Sequence, residues 1–223
     1  MKSTERAEGV DTYARATMEE EVSAEAPGVV IAKVRARRAE RPNATLICRR
    51  VVADMVRALP ELSHIRPSRI LFIAGEARRG SRATIRPLGG SGRARVTIKG
   101  RRALYCVTLR PKFFRASTPE QRVATLLHEV LHIGPRFDGG LDPDRRHARL
   151  GQGRFEALLR PLLKRYLAQG DPSLIGGLAH HGEVLARQWL ERPTGRSSAS
   201  QSYTEKHLFL GPLMMVTRRR LHS

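Results

Sequence analysis

Between Thr118 and Pro135 the chain carries a helix whose two ends are both written in the sequence, and the rest of the fold has to be built against its face. Thr118-Pro119-Glu120-Gln121 reads as an N-cap, a proline at the first helical position and a capping-box partner. Gly134-Pro135 ends the helix. Val123, Leu126, Leu127, Val130, Leu131 and Ile133 form a broad apolar stripe, so the helix is expected to be buried. Set into it is His128-Glu129-Val130-Leu131-His132, an H-E-x-x-H match that chance would supply only about 0.02 times in a chain of this composition. Four residues apart on a helix, the two imidazoles share one face and can reach a single metal ion at roughly 2.0–2.1 Å. Glu129, beside them, is placed to take a proton from a water at the metal and deliver it to a leaving amine. Two imidazoles and a carboxylate in apolar surroundings are costly without a partner, and Zn2+ is the simplest one. The motif points to a zinc hydrolase with Glu129 as its catalytic residue.

A catalytic zinc site takes three protein ligands and keeps one position open, so a further ligand is expected after His132. His147 is the preferred candidate, because imidazole suits zinc and the Asp/Gly/Pro-rich loop 134–146 is long enough to fold back. Asp138, Asp142, Asp144 and Glu156 stay open as alternatives. Asp138 also has an ordinary task available in capping the Gly139-Gly140 turn. Tyr105, Arg136 and Arg145 are candidates for stabilising an oxyanion. His180-His181 does not make a second site, since adjacent helical residues point apart, and His64, His207 and His222 are expected at the surface.

Charge narrows the partners. The net charge is +20, and 35 of the 41 basic residues are arginine. Such a balance suits an anionic partner such as nucleic acid, and it equally suits an arginine-biased solvated surface. Aromatic residues make up 5% of the chain, which disfavours a base-stacking platform for single strands. Cys48 and Cys106, one on an expected helix and one on an expected strand, allow neither a disulfide framework nor a cysteine zinc cage. No apolar segment follows Met1 and no run approaches a membrane span, so a cytoplasmic protein with no membrane partner is expected.

Three regions follow from the patterning. Residues 1–43 form an expected mobile tail whose first 27 residues carry a net charge of −4, with a short helix near 12–22. Residues 44–192 form the expected domain. It starts with an amphipathic helix from Ala44 to Leu59, followed by strand-like runs Arg69–Ala74, Ala83–Leu88, Ala94–Lys99 and Leu104–Arg110, separated by turns such as Gly89-Gly90-Ser91-Gly92 and expected to form a meander. The last run is the expected exposed edge that receives a substrate backbone. Beyond the motif, Phe155, Leu158, Leu159, Leu162, Leu163, Tyr166 and Leu167 predict a core helix that Pro161 should kink or break, and Leu178–Leu190 predicts another. Residues 193–223 read as a Ser-rich linker and a closing hairpin or docked arm around Gly211-Pro212. The order of elements is α+β: a helix, a small mostly antiparallel sheet, the H-E-x-x-H helix and further C-terminal helices, a minimal zincin-like core.

The segment from His128 through Gly134-Pro135-Arg136-Phe137-Asp138-Gly139-Gly140-Leu141, with Arg145-Arg146-His147 beyond it, resembles the putative phage metallopeptidase family. Pro60-Glu61-Leu62 before a strand, the Ala77-Arg78-Arg79 turn, and Leu104–Leu109 leading to Ser117-Thr118-Pro119-Glu120 are placed similarly. The resemblance spans about residues 44–192. It implies a zinc-dependent peptidase acting on peptides or proteins, with His128, His132 and His147 as ligands and Glu129 as catalyst. It also leaves room for a basic body that carries a protease to DNA-bound protein, or for a zinc-stabilised interaction protein without catalysis.

Overall fold

The computed structural model describes residues 41–75, 81–88, 92–180, 182–193 and 200–214, with Met214 described by its backbone alone. The acidic leader, the helix near 12–22, the Ala77-Arg78-Arg79 turn, most of the Gly89–Gly92 turn, the greater part of the Ser-rich linker, His181 and His222 lie outside the described residues. The architecture is α+β. Among the described residues no helix is long and apolar enough to cross a membrane.

Helix α1 (Ala44–Ala58) starts where the Asn43 side chain accepts from the Leu46 N–H at 3.1 Å, and it stops just ahead of Pro60. Its apolar face, Cys48, Val51, Val52 and Met55, is buried. Strands β1 (Ile70–Ala74), β2 (Ala83–Pro87), β3 (Arg95–Ile98), β4 (Arg101–Arg102) and β5 (Tyr105–Leu109) follow. The positions of β1, β2, β3 and β5 match the sequence pattern, β4 falls where Gly100-Arg101-Arg102 reads as a turn, and the pairing is not a meander. β5 is inserted between β1 and β2, parallel to the first with Ile70 opposite Tyr105, and antiparallel to the second with Ile85 opposite Val107. The segment Leu104–Arg110 is therefore the centre of the sheet and not an exposed edge. All five residues of β5 are buried, which is what an uncharged Tyr-Cys-Val-Thr-Leu run requires when both of its faces are covered. β2, half-buried at Thr84, Arg86 and Pro87, is an edge strand instead. β3 belongs to a second sheet between β4 and β7 (Ser202–Tyr203).

After β5 come α2 (Pro111–Ala116), α3 (Pro119–Leu131), α4 (His147–Leu150), α5 (Gln152–Gln169) and α6 (Pro172–Gly177). The capping box of α3 is formed on both sides, with Thr118 Oγ1 accepting from Gln121 N–H and Gln121 Oε1 accepting from Thr118 N–H. α5 runs through Pro161 without a break. Proline removes one backbone bond, but Phe155, Leu159 and Tyr166 are buried on either side of it and hold the helix together. Leu158 and Leu167 of the same helix face solvent. The helix expected at Leu178–Leu190 is replaced by β6 (Glu183–Trp189), where Val184 and Ala186 alternate inward and the backbone pairs antiparallel with β8 (Leu208–Met214). β8 passes straight through Gly211-Pro212, so this segment is a docked strand and makes no hairpin of its own.

One face of the β1-β5-β2 sheet packs Phe72, Ile85, Val107 and Leu109 against α1 and α3, while the other packs Leu71, Ile73 and Cys106 against Val96, Ile98 and Tyr203. A polar staple crosses the first layer. Asp54 of α1, 4% exposed, accepts from Tyr166 Oη at 3.0 Å and from the Asp171 N–H at 2.8 Å, and its other oxygen pairs with Arg57. Arg122, buried within α3, donates to the Ser117 hydroxyl at 3.1 Å and to the carbonyls of Phe114 and Leu178.

Candidate metal centre

α3 carries His128, Glu129 and His132 against the sheet, with α5 beside it, and α4 brings His147 to the same point. His128 Nε2 lies 3.0 Å from His147 Nε2, and His132 Nε2 lies 3.2 Å from it. The ring of Phe155 from α5 packs on all three, with centroids 4.5, 4.7 and 4.9 Å from His128, His132 and His147. This apolar backing has an electrical effect. Burial, joined by the neighbouring imidazoles, pushes His128 and His132 down to about 4, so both rings are neutral near pH 7 and present lone pairs.

The three rings cannot satisfy one another. A neutral His147 has at most one Nε2–H and can donate it to one neighbour only. Nitrogen ligands about 2.0–2.1 Å from a tetrahedral ion lie roughly 3.3 Å apart, close to the separations seen here. The residues present therefore fit a small divalent metal ion.

The loop between the helices is tied down at several points. Tyr105 Oη donates to the Gly140 carbonyl and accepts from the Gly139 N–H, both at 2.9 Å, which fixes the loop to the central strand. The Asp142 N–H donates to the His132 carbonyl at 2.8 Å, and the Arg145 carbonyl accepts from the His132 ring. With Nε2 turned to His147, that bond falls to Nδ1, the arrangement that orients a metal-ligating histidine. The other candidates are used elsewhere. Asp138 Oδ1 caps the turn by accepting from Gly140 N–H at 2.9 Å, Asp142 accepts from Asp144 N–H, Asp144 pairs with Arg149, and Glu156 stands outside the cluster. Tyr105 is engaged with the loop, Arg136 with Asp138, and Arg145 with Asp142 and the Leu131 carbonyl, so their donors hold the scaffold. His64 and His207 are half-buried and lie apart from the site, and His180 contacts the Glu183 carbonyl.

Glu129 is 6% exposed, and burial pushes its carboxyl up to about 7 against the pull of the Ile85 N–H and of Arg110. Arg110 and Arg82, which acts on His128, are neighbours that the sequence did not single out. Arg82 precedes β2 and Arg110 follows β5, and the pairing of those two strands brings both here.

An α+β core that carries an H-E-x-x-H helix and converges three imidazoles beside a buried carboxylate is an arrangement that could hold a metal ion. The chain belongs to the family described as putative phage metallopeptidase, whose model matches residues 42–161, from the start of α1 into α5. No curated protein and no solved structure matches the chain.

Proposed function

We propose that the protein is a zinc-dependent peptidase that cleaves peptide or protein substrates with Glu129 as general base. The observation that carries this reading is the convergence of His128, His132 and His147 Nε2 atoms next to a carboxylate on the same helix. Zinc is favoured over other divalent ions because the donor set is three neutral imidazoles without a carboxylate. Zinc bound there would supply Lewis acidity toward a carbonyl and toward water.

The rest is the work of the chain. His128 and His132 hold their lone pairs inward because burial keeps them unprotonated. Glu129 takes the proton of the attacking water and returns it to the leaving amine, and a carboxyl raised to about 7 can do both near neutrality. An extended substrate paired along the edge of β2 passes beside Glu129, because the Ile85 backbone already reaches that carboxylate. Glu129→Gln keeps the shape of the site and removes the base. Its expected signature is unchanged zinc content with peptide-library hydrolysis lowered by roughly 10²–10⁴-fold. Full activity in that variant would overturn the proposal.

A further inference from the structure

On the sheet face turned away from α1 and α3, a cavity of about 780 Å³ opens at the carboxyl ends of the parallel pair β1 and β5. Arg86 of β2, Arg110 beyond β5 and Arg192 beyond β6 line it, together with the hydroxyls of Thr84 and Thr108, and no described acidic residue does. Arg110 is 7% exposed and donates to Thr84 Oγ1 at 3.2 Å, so its guanidinium is held in the wall. No carboxylate among the described residues pairs with Arg86 or Arg192. Trp189 also lines the cavity, and its indole N–H is buried without a hydrogen-bond partner. Ile73, Ala74 and Pro111 complete an apolar wall. At Gly75 the wall is bare backbone, since a Cβ there would come within 2.8 Å of Thr108. Arg86 also hydrogen-bonds the Cys106 thiol, and its charge and that of Arg192 oppose the burial that raises this thiol to about 11.

We propose that this cavity binds the phosphate group of a small phosphorylated organic molecule of mononucleotide size. The forks of Arg86 and Arg192, with the charge of Arg110 held behind them in the wall, favour a tetrahedral dianion, which can accept from more than one fork, whereas a single carboxylate occupies one. The volume lies within the range of roughly 300–1,000 Å³ usual for small-molecule sites, and a bare phosphate would leave most of it and the apolar wall unused. The recess also disfavours a duplex, whose backbone phosphates meet convex basic surface more readily than the buried Arg110. A smaller cavity of about 370 Å³ shares Arg86 and Trp189 and adds Arg93, which extends the basic lining. The site borders the proposed peptidase site, because Ile85 and Arg110 line it and both act on Glu129, but its test reads binding and needs no hydrolysis.

The test is isothermal titration of the full chain with adenosine monophosphate, inorganic phosphate and adenosine. The monophosphate should bind, phosphate should bind more weakly, and adenosine should not bind. Arg86→Gln should weaken the monophosphate by roughly ten- to hundredfold, and Arg192→Gln, at the exposed rim, by less. Both side chains reach solvent, so the fold survives their loss. The chain has one tryptophan, so a single indole N–H signal in a ¹⁵N spectrum should shift with the monophosphate and stay still with adenosine. Absence of monophosphate binding overturns the proposal, as does phosphate binding equally well or an affinity indifferent to Arg86→Gln. An inert monophosphate combined with Arg86-dependent binding of a short DNA duplex would also overturn it, in favour of a polymer.

Discussion

Asp54 and His132 are 4% and 9% exposed, and the company each keeps is opposite in kind. Asp54 accepts a hydroxyl, a backbone N–H and a guanidinium, so the demand of its carboxylate is met from within the chain. His132 and its two companions turn acceptor nitrogens toward one another, and they have too few protons to fill them. A buried polar group that is satisfied holds elements together, here α1 to α5 and to the start of α6. One left short of a partner is arranged for something that arrives later. The same fold uses both, on two sides of one helix layer.

The contrast breaks most sharply at His147. Removing one of three ligands should cost roughly a hundredfold or more in zinc affinity, more than typical losses of an outer partner, while the stability of the metal-free chain changes by about 0.5 kcal/mol or less because His147 is exposed. Chelator competition and urea unfolding measure the two quantities. Asp138→Ala should perturb the turn and retain the metal, and the reverse pattern would reassign the third ligand. Asp54→Ala is the mirror case. It strands the buried Tyr166 hydroxyl and the Asp171 N–H, so unfolding free energy should fall by about 2–4 kcal/mol with zinc stoichiometry intact. If zinc were lost from the folded variant, the two clusters would not be separable.

Acid gives the smallest and most specific test. His128 and His132 fall from 6.5 to about 4 on folding, so the unfolded chain protonates first, and the metal-free protein should lose stability as pH drops from about 6.5 to 4. Glu129 rises from 4.5 to about 7, so the folded state takes that proton first and acidification through 7 to 4.5 is stabilising. It cancels about one of the two histidine protons. Glu129→Gln removes the cancellation, and the acid loss of stability should become about twice as steep, moderated by the partial solvent access of both rings. Urea midpoints against pH for the two metal-free proteins decide it, and an equal or shallower slope in the variant would contradict the assigned burial.

Local grammar carried the reading of α3. Thr118, Pro119 and Gln121 act within one turn, and the i, i+4 histidines need only the helix to share a face. Strand positions were legible from apolar runs for the same reason. Pairing was not, because the insertion of β5 between β1 and β2 depends on contacts distant in sequence. The one local clue was the uncharged Tyr105–Leu109 run, a signature of a strand covered on both faces. Glu183–Trp189 was misread because Leu185, Ala186, Arg187 and Gln188 all favour helices, and the ladder with β8 outweighs that preference. The convergence of His147 on the pair could be anticipated from imidazole chemistry, whereas the approach of Arg110 and Arg82 could not, since neither lies near the motif in sequence.

The insertion of β5 also governs how the molecule can be assembled. β1 and β2 are separated by few residues, yet they never pair with each other, so the quick hairpin that neighbouring strands usually offer is not a step toward this sheet. Both must wait for a segment synthesised later, and β1 gains its partner only across a loop of about thirty residues, whose closure entropy falls due before any ladder forms. The helix bearing the histidines then follows β5 with only the short α2 between them. Sheet closure and delivery of the histidine face are thus successive consequences of one late event, which gives folding a high contact order and ties the birth of the candidate site to the last strand of its platform.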